Sequence, residues 1–193
     1  MGSLSNYLSQ SGAITWMVLL VLSIYFIVTF WIFIYRYRIL KVRLSVESKS
    51  LNRLYMGRSD FVAKDSLLYA YLQRIGTFRS EILKAAINDA VRSATRGLTP
   101  LSIMASTSPF VGLFGTVVGI LEAFGRLGTQ KSASLSVVAP AISEALVATA
   151  AGIFVAIFAY AFHLILKRKA YELHSLLESE AEIVLARPNA ESE

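Results

Sequence analysis

Three long stretches of this 193-residue sequence are almost free of charge, and they decide the class of structure before anything else does. Residues 1–35 contain no charged side chain, and 13–35 within them are almost wholly apolar and aromatic. Residues 97–121, "GLTPLSIMASTSPFVGLFGTVVGIL", are uncharged throughout, and residues 134–166 hold a single carboxylate, Glu144. About twenty apolar residues in a helix span a ~30 Å hydrocarbon core. Each run therefore predicts a membrane-crossing helix. Composition agrees, since 55% apolar against 17% charged residues, with positive mean hydropathy, describes an integral membrane protein.

The net charge of +6 raises the question of nucleic acid, and its distribution answers against it. Residues 36–96 carry thirteen Lys/Arg and five Asp/Glu, and they lie between two apolar runs. That is the pattern of a cytoplasmic loop under the positive-inside rule. The third run also stops at a basic triplet, Lys167–Arg168–Lys169, while the opposite side offers only Arg126 and Lys131. The N-terminus is expected outside, and the large loop and C-terminus inside. A cleaved signal peptide fits the first run poorly, because no basic residue precedes it and "RYRILKVR" follows as a stop-transfer sequence. Without cysteine the chain has no disulfide, thiolate metal site or Cys nucleophile.

The expected architecture is all-α. Segment 1–12 is an outer tail and 13–35 the first membrane helix, with Trp16, Trp31, Tyr35 and Tyr37 as interfacial anchors. Segment 36–97 is a cytoplasmic helical loop, in which Leu68, Tyr71, Leu72, Ile75, Phe78, Ile82, Ala86 and Ala90 make one apolar stripe and "MGRSD" a turn. The second membrane helix is 98–124, followed by an outer loop at 125–135. The third is 136–166, and 167–193 is a C-terminal helix continuing the stripe through Leu173, Leu177, Ala181 and Val184, then a frayed tail. Small residues line one face of the second helix at Ala105, Ser108, Gly112, Gly115, Thr116 and Gly119. Ala141, Ala145, Ala148, Gly152, Ala156 and Ala159 do so on the third. Such stripes let membrane helices approach closely, so Gly112, Gly115, Gly119, Ala148, Gly152 and Ala156 are the expected packing positions.

Glu144 demands a reason, because a charge at the centre of a bilayer helix costs about 2.5–3.5 kcal/mol on insertion scales. Three readings stand side by side: a solvated charge near a helix N-terminus, a partner of Arg126 or Lys131, or a group facing a polar cavity on an ion path. Thr116 and Thr149 sit in otherwise apolar surroundings on the two helices whose small faces should pack. A lone membrane threonine ordinarily bonds back to its own helix, but two on facing helices suggest a shared polar lining. Glu144 and Thr149 lie five residues apart, so spacing does not put them on one face.

"SPFVGLFGTVVGILEAF", residues 108–124, and "VVAPAISEALVATAAGI", residues 137–153, together resemble the signature of the ExbB/TolQ/MotA proton-channel family, in its ExbB/TolQ branch. "RYRIL" and "AFGRLGTQKSASLSVVAP" lean toward TolQ. The resemblance implies a multi-pass protein of the bacterial inner membrane, with a periplasmic N-terminus and a cytoplasmic C-terminus. It implies a ring, a pentamer, whose second and third helices surround two membrane helices of a TolR- or ExbD-like partner bearing a proton-carrying aspartate. A TolA- or TonB-like protein would carry the work to the outer membrane, in envelope maintenance during division or in import. By motif position, Thr116, Glu144 and Thr149 line the proton path. The sequence departs from the family pattern at Ala141, where "APGI" becomes "APAI", at Phe158, where a proline is usual, and in a short cytoplasmic loop.

A proton falling through about 100 mV yields about 2.3 kcal/mol, whereas driving a two-state element from 1:99 to 99:1 takes about 5.5 kcal/mol. Each working cycle should therefore use several protons. A partner-independent channel and an oligomeric scaffold are the alternatives. An enzyme is not expected: the sequence has no Walker loop, no H-E-x-x-H and two histidines, His163 and His174. No metal, cofactor or nucleic acid is expected.

Overall fold

A computed structural model describes residues 13–57, 62–75, 80–129 and 135–186. The expected outer tail, Phe78, Lys131, most of "MGRSD" and the C-terminal "RPNAESE" lie outside the described residues, as do the side chains of Tyr71, Leu72, Ile75 and Arg126. The described chain is helical: α1 spans Ala13–Tyr55, α2 Leu67–Ile75, α3 Ser80–Thr95, α4 Leu98–Thr129 and α5 Leu135–Leu185. α1, α4 and α5 each contain a stretch long and apolar enough to cross a membrane. With 51 residues, α5 measures about 75 Å at ~1.5 Å per residue, more than twice a hydrocarbon core.

The chain divides into two compact units. The first contains the described residues up to Ile32 and Thr99–Phe162. Its helices turn large apolar side chains outward, among them Met17, Ile27, Trp31, Phe110, Leu121, Leu146 and Ile157. Small and polar residues go inward: Ala145, Ala148, Ala159, Ser108 and Thr29 are essentially inaccessible. That inversion suits a lipid solvent, in which apolar area gives no drive for association and close backbone packing does. Val18, Leu22, Ala148 and Val155 form its apolar core.

Phe26 and Phe30 of α1 interlock with Phe154, Phe158 and Phe162 of α5. Phe158 is central to this group, with ring centroids 4.9 Å from Phe154, 5.6 Å from Phe30, 5.8 Å from Phe26 and 6.0 Å from Phe162. The residue that departs from the family's proline thus has a packing role here. Aromatic pairs add about 0.5–1.5 kcal/mol each beyond buried area. Phe158→Leu is accordingly expected to lower the thermal midpoint of the detergent-solubilised protein, by an amount equivalent to about 1–2 kcal/mol.

The second unit contains Phe33–Leu98 and the described residues from His163 on. Here α1 and α5 are ordinary amphipathic helices, burying Leu40 and Leu54 of α1 and Leu166, Leu173, Leu177, Ala181 and Val184 of α5. Against the expectation of a single stripe from Leu68 to Ala90, the described residues form two helices, and the buried face of α3 is Leu83, Ala86, Ile87 and Ala90. Ile82 is only half-buried. Ala86 and Ala90 of the expected stripe are buried, while Leu83 takes the inward place expected of Ile82. α1 ends at a turn with Gly57 at φ +63°, and α3 passes into α4 through Gly97 at φ +100°. That backbone costs a non-glycine residue about 1–2 kcal/mol, so Gly97→Ala should destabilise by about that much while Arg36, the side chain nearest its absent Cβ, swings aside.

Candidate functional site

The face of α4 that meets α5 is made by glycine. A Cβ built on Gly112 would lie 2.6 Å from the Ala148 carbonyl oxygen and 3.0 Å from Thr149 Cα. One on Gly152 would lie 2.5 Å from the Ser108 carbonyl oxygen and 3.0 Å from Gly112 Cα. Gly115 and Gly119 are closed more loosely, each 2.9 Å from an alanine methyl group, of Ala148 and Ala145 respectively. Five of the six expected packing positions therefore meet at this crossing. Ala156 is half-buried one turn beyond Gly152.

This close approach brings Thr116 and Thr149 into one cluster. Their hydroxyl oxygens are 2.5 Å apart. The Thr116 hydroxyl reaches the Ala145 carbonyl across the interface at 2.9 Å and the Gly112 carbonyl of its own helix at 3.4 Å. Thr149 reaches the same Gly112 carbonyl, on the opposite helix, at 3.3 Å. Two hydroxyls have two protons between them, and carbonyl oxygens can only accept. Either Thr149 donates to Thr116 and Thr116 to Ala145, or Thr116 donates to Thr149 and Thr149 to Gly112. The cluster is a two-hydroxyl chain with two senses, set in apolar surroundings. Thr116 is buried and Thr149 half-buried, so one end has a way out.

Glu144 stands apart from this chain. It is half-buried, and no hydrogen bond or ion pair joins it to a described side chain, those of the expected partners Arg126 and Lys131 lying outside the described residues. It adjoins Ala145, whose carbonyl takes the Thr116 proton, but the structure does not bring the three expected path residues together. His163 serves packing: its Nδ1 donates to the Leu98 carbonyl at 3.1 Å, since that oxygen can only accept.

Sequence reasoning passed over a second polar cluster, in the other unit. Glu47 and Glu180 are completely buried, with Ser50 and Ser66 beside them. The signal was present in the spacing. Leu40, Glu47 and Leu54 recur every seven residues on α1, and Leu166, Leu173 and Glu180 do so on α5. A carboxylate occupies an apolar register position on each helix.

A sequence model of the MotA/TolQ/ExbB proton channel family matches residues 62–179. A Helicobacter pylori protein named as an ExbB-like 1 biopolymer transport protein is 43% identical over 96% of this chain and 98% of its own length. The Tol-Pal system protein TolQ of Haemophilus influenzae is 48% identical over 42% of this chain and 35% of its own. The biopolymer transport protein ExbB of Xanthomonas campestris is 46% identical over 44% and 36%. The TolQ and ExbB matches are similar in identity and extent, so they support the branch without dividing it. A family match over more than half the sequence, a relative aligned end to end and three membrane-length helices lead to one conclusion: this chain belongs to the MotA/TolQ/ExbB proton channel family.

Proposed function

We propose that this protein is the ring-forming subunit of a proton-driven machine in the bacterial inner membrane, and that the Thr116–Thr149 pair lines its proton path. The observation that carries the proposal is the hydrogen-bonded hydroxyl pair between α4 and α5. A proton leaving a partner carboxylate in an apolar pore needs groups that both donate and accept, and threonine hydroxyls are such groups. A proton taken up by one hydroxyl as the other gives one up passes through the pair, and rotation of the two O–H bonds then restores it, with no side chain leaving its place.

In this reading Glu144 shapes the field near the entry, one step from the Ala145 carbonyl. The partner is a TolR- or ExbD-like protein with one membrane helix and an aspartate. The outward apolar side chains of α4 and α5, such as Phe114, Val117, Leu146 and Phe154, fit contact with lipid and with further copies in a pentameric ring. The basic segment after the first membrane helix supports a cytoplasmic loop and C-terminus with a periplasmic N-terminus. The work goes to the outer membrane through a TolA- or TonB-like protein.

The glycine contacts would also suit a scaffold, and a variant separates the two readings. Glu144→Gln is expected to leave assembly intact and to lower proton-driven activity measurably, by up to about tenfold, because it acts on the field without interrupting the hydroxyl chain. An unaltered activity would remove Glu144 from the path, and a failure to assemble would make it a structural residue.

A further inference from the structure

Among the described residues, the second unit holds two carboxyl groups with no solvent access, Glu47 and Glu180. Buried acids are tolerated when each oxygen has a donor, and here the donors are incomplete. Glu47 Oε1 accepts the Leu67 amide at 2.9 Å, and Glu180 Oε2 accepts the Ser66 hydroxyl at 3.3 Å. Glu47 Oε2 and Glu180 Oε1 are the buried side-chain oxygens without a partner among the described residues. One proton placed between the two groups would satisfy both.

The same groups hold a segment of chain in place. Ser66 is the N-cap of α2, its hydroxyl accepting the Leu68 amide at 3.1 Å. The Ala63 amide donates to the Ser50 hydroxyl of α1 at 3.1 Å. Residues 63–68 are thus fastened to α1 by Glu47 and Ser50 and to α5 by Glu180. Their apolar anchors, Val62 and Leu68, are buried in the same unit.

We propose that Glu47 and Glu180 form a second proton site, outside the membrane spans, which holds one proton and uses it to latch residues 62–68 onto α1 and α5. With the proton present, Glu180 donates to Glu47 and both free oxygens are satisfied. With it gone, two buried carboxylates face each other and the latch gains by opening to water. This site is independent of the threonine pair and stands whether or not that pair conducts.

Among the described side chains, none forms an ion pair with either carboxyl. Lys49 and Arg53 on α1 and Lys64 and Asp65 beside the segment are exposed. Tyr69 of α2 is half-buried. Lys84 of α3 lies with His174, Glu178 and Glu182 of α5 along a surface groove, where His174 pairs with Glu178 at 3.2 Å. Burial, the largest cause, together with the charge of Glu47 raises the Glu180 carboxyl to about 7, against the lowering effect of the Ser50 and Ser66 hydroxyls. A group raised on closing binds its proton more tightly closed than open. Closure is therefore favoured in acid and weakens as pH rises through about 7.

Hydrogen–deuterium exchange of the full chain in detergent, at pH 6 and pH 8 with intrinsic rates corrected, tests this. The amides of Ala63, Leu67 and Leu68 should lose about tenfold in protection between the two, the amount one shifted carboxyl gives across that interval. Glu180→Gln, which can donate to Glu47 and never ionises, should keep them protected at both. Protection independent of pH in the wild type, or a pH step surviving in Glu180→Gln, would overturn the proposal. Should that variant not fold, infrared titration of the wild type decides. A protonated carboxyl band lost near neutrality supports the site, and carboxyl titration confined to the ordinary acidic range refutes it.

Discussion

Alanine at Gly152 is expected to break the pairing of α4 with α5, while alanine at Gly125 changes nothing measurable. The new methyl group at position 152 would lie 2.5 Å from the Ser108 carbonyl oxygen and 3.2 Å from the Gly112 nitrogen, both backbone atoms. At Gly125 no atom lies within 4 Å. Apolar atoms rest at about 3.5–4.0 Å, so the helices must part by about 1 Å, and no rotamer change can absorb it. Overpacking of this kind costs about 1–3 kcal/mol and occasionally more. Collision with backbone puts Gly152→Ala at the upper end. Separation by that amount would also pull Thr149 from Thr116, so function should fail with the fold. The thermal midpoint and monodispersity of the detergent-extracted protein are the readouts. Gly112→Ala, 2.6 Å from the Ala148 carbonyl oxygen, should behave alike.

That crossing was legible in the sequence because small residues recur at three- and four-residue steps on both helices. Bilayer packing selects for size, and size can be read from residue type. The hydroxyl pair was only half legible. Two threonines on facing helices suggested a shared lining, but the general rule for a membrane threonine is a bond to its own helix. Thr116 still reaches the Gly112 carbonyl of its own helix at 3.4 Å, but glycine at 112 lets α5 come close enough to offer a nearer acceptor, the Ala145 carbonyl at 2.9 Å. Glu144 is conspicuous in the sequence, yet no described side chain is bonded to it in the structure. Its neighbour Ala145 occupies the packed face, and one residue along a helix is a turn of about 100°.

Glu47 and Glu180 show the opposite failure. A periodicity search counts apolar residues, so an acid on the buried register reads as a gap in the stripe. Leu173, Leu177, Ala181 and Val184 read as a stripe in the sequence, and Glu180, at the next heptad position after Leu173, reads as a break in it. The continuation of α1 to Tyr55 was obscured similarly. Beyond Tyr35 its pattern changes from all-apolar to amphipathic, as the surroundings change from lipid to water and protein. The physics of the two halves differs although the helix does not.

The second large effect is expected from Thr149→Val. Losing one hydroxyl costs about 0.5–1.5 kcal/mol of stability, too little to prevent assembly, and the small-residue contacts with Gly112 and Gly115 remain. The proton path would lose far more. With valine at 149, Thr116 can still donate to Ala145 but has no hydroxyl to accept from, and the two-sense chain becomes a fixed bond. Proton flux should fall by about a hundredfold or more, the scale of removing a group that relays protons. Thr149→Ser should restore most of it, since serine supplies the same donor and acceptor without the methyl group.

The most direct test is proton uptake by proteoliposomes containing this chain with its single-helix partner, driven by a fixed membrane potential. Wild type and Thr149→Ser should conduct, and Thr149→Val should be closed while sedimenting as the same assembly. Wild-type flux in an intact Thr149→Val complex would contradict the account, and the threonine pair would then be a structural tie between two helices.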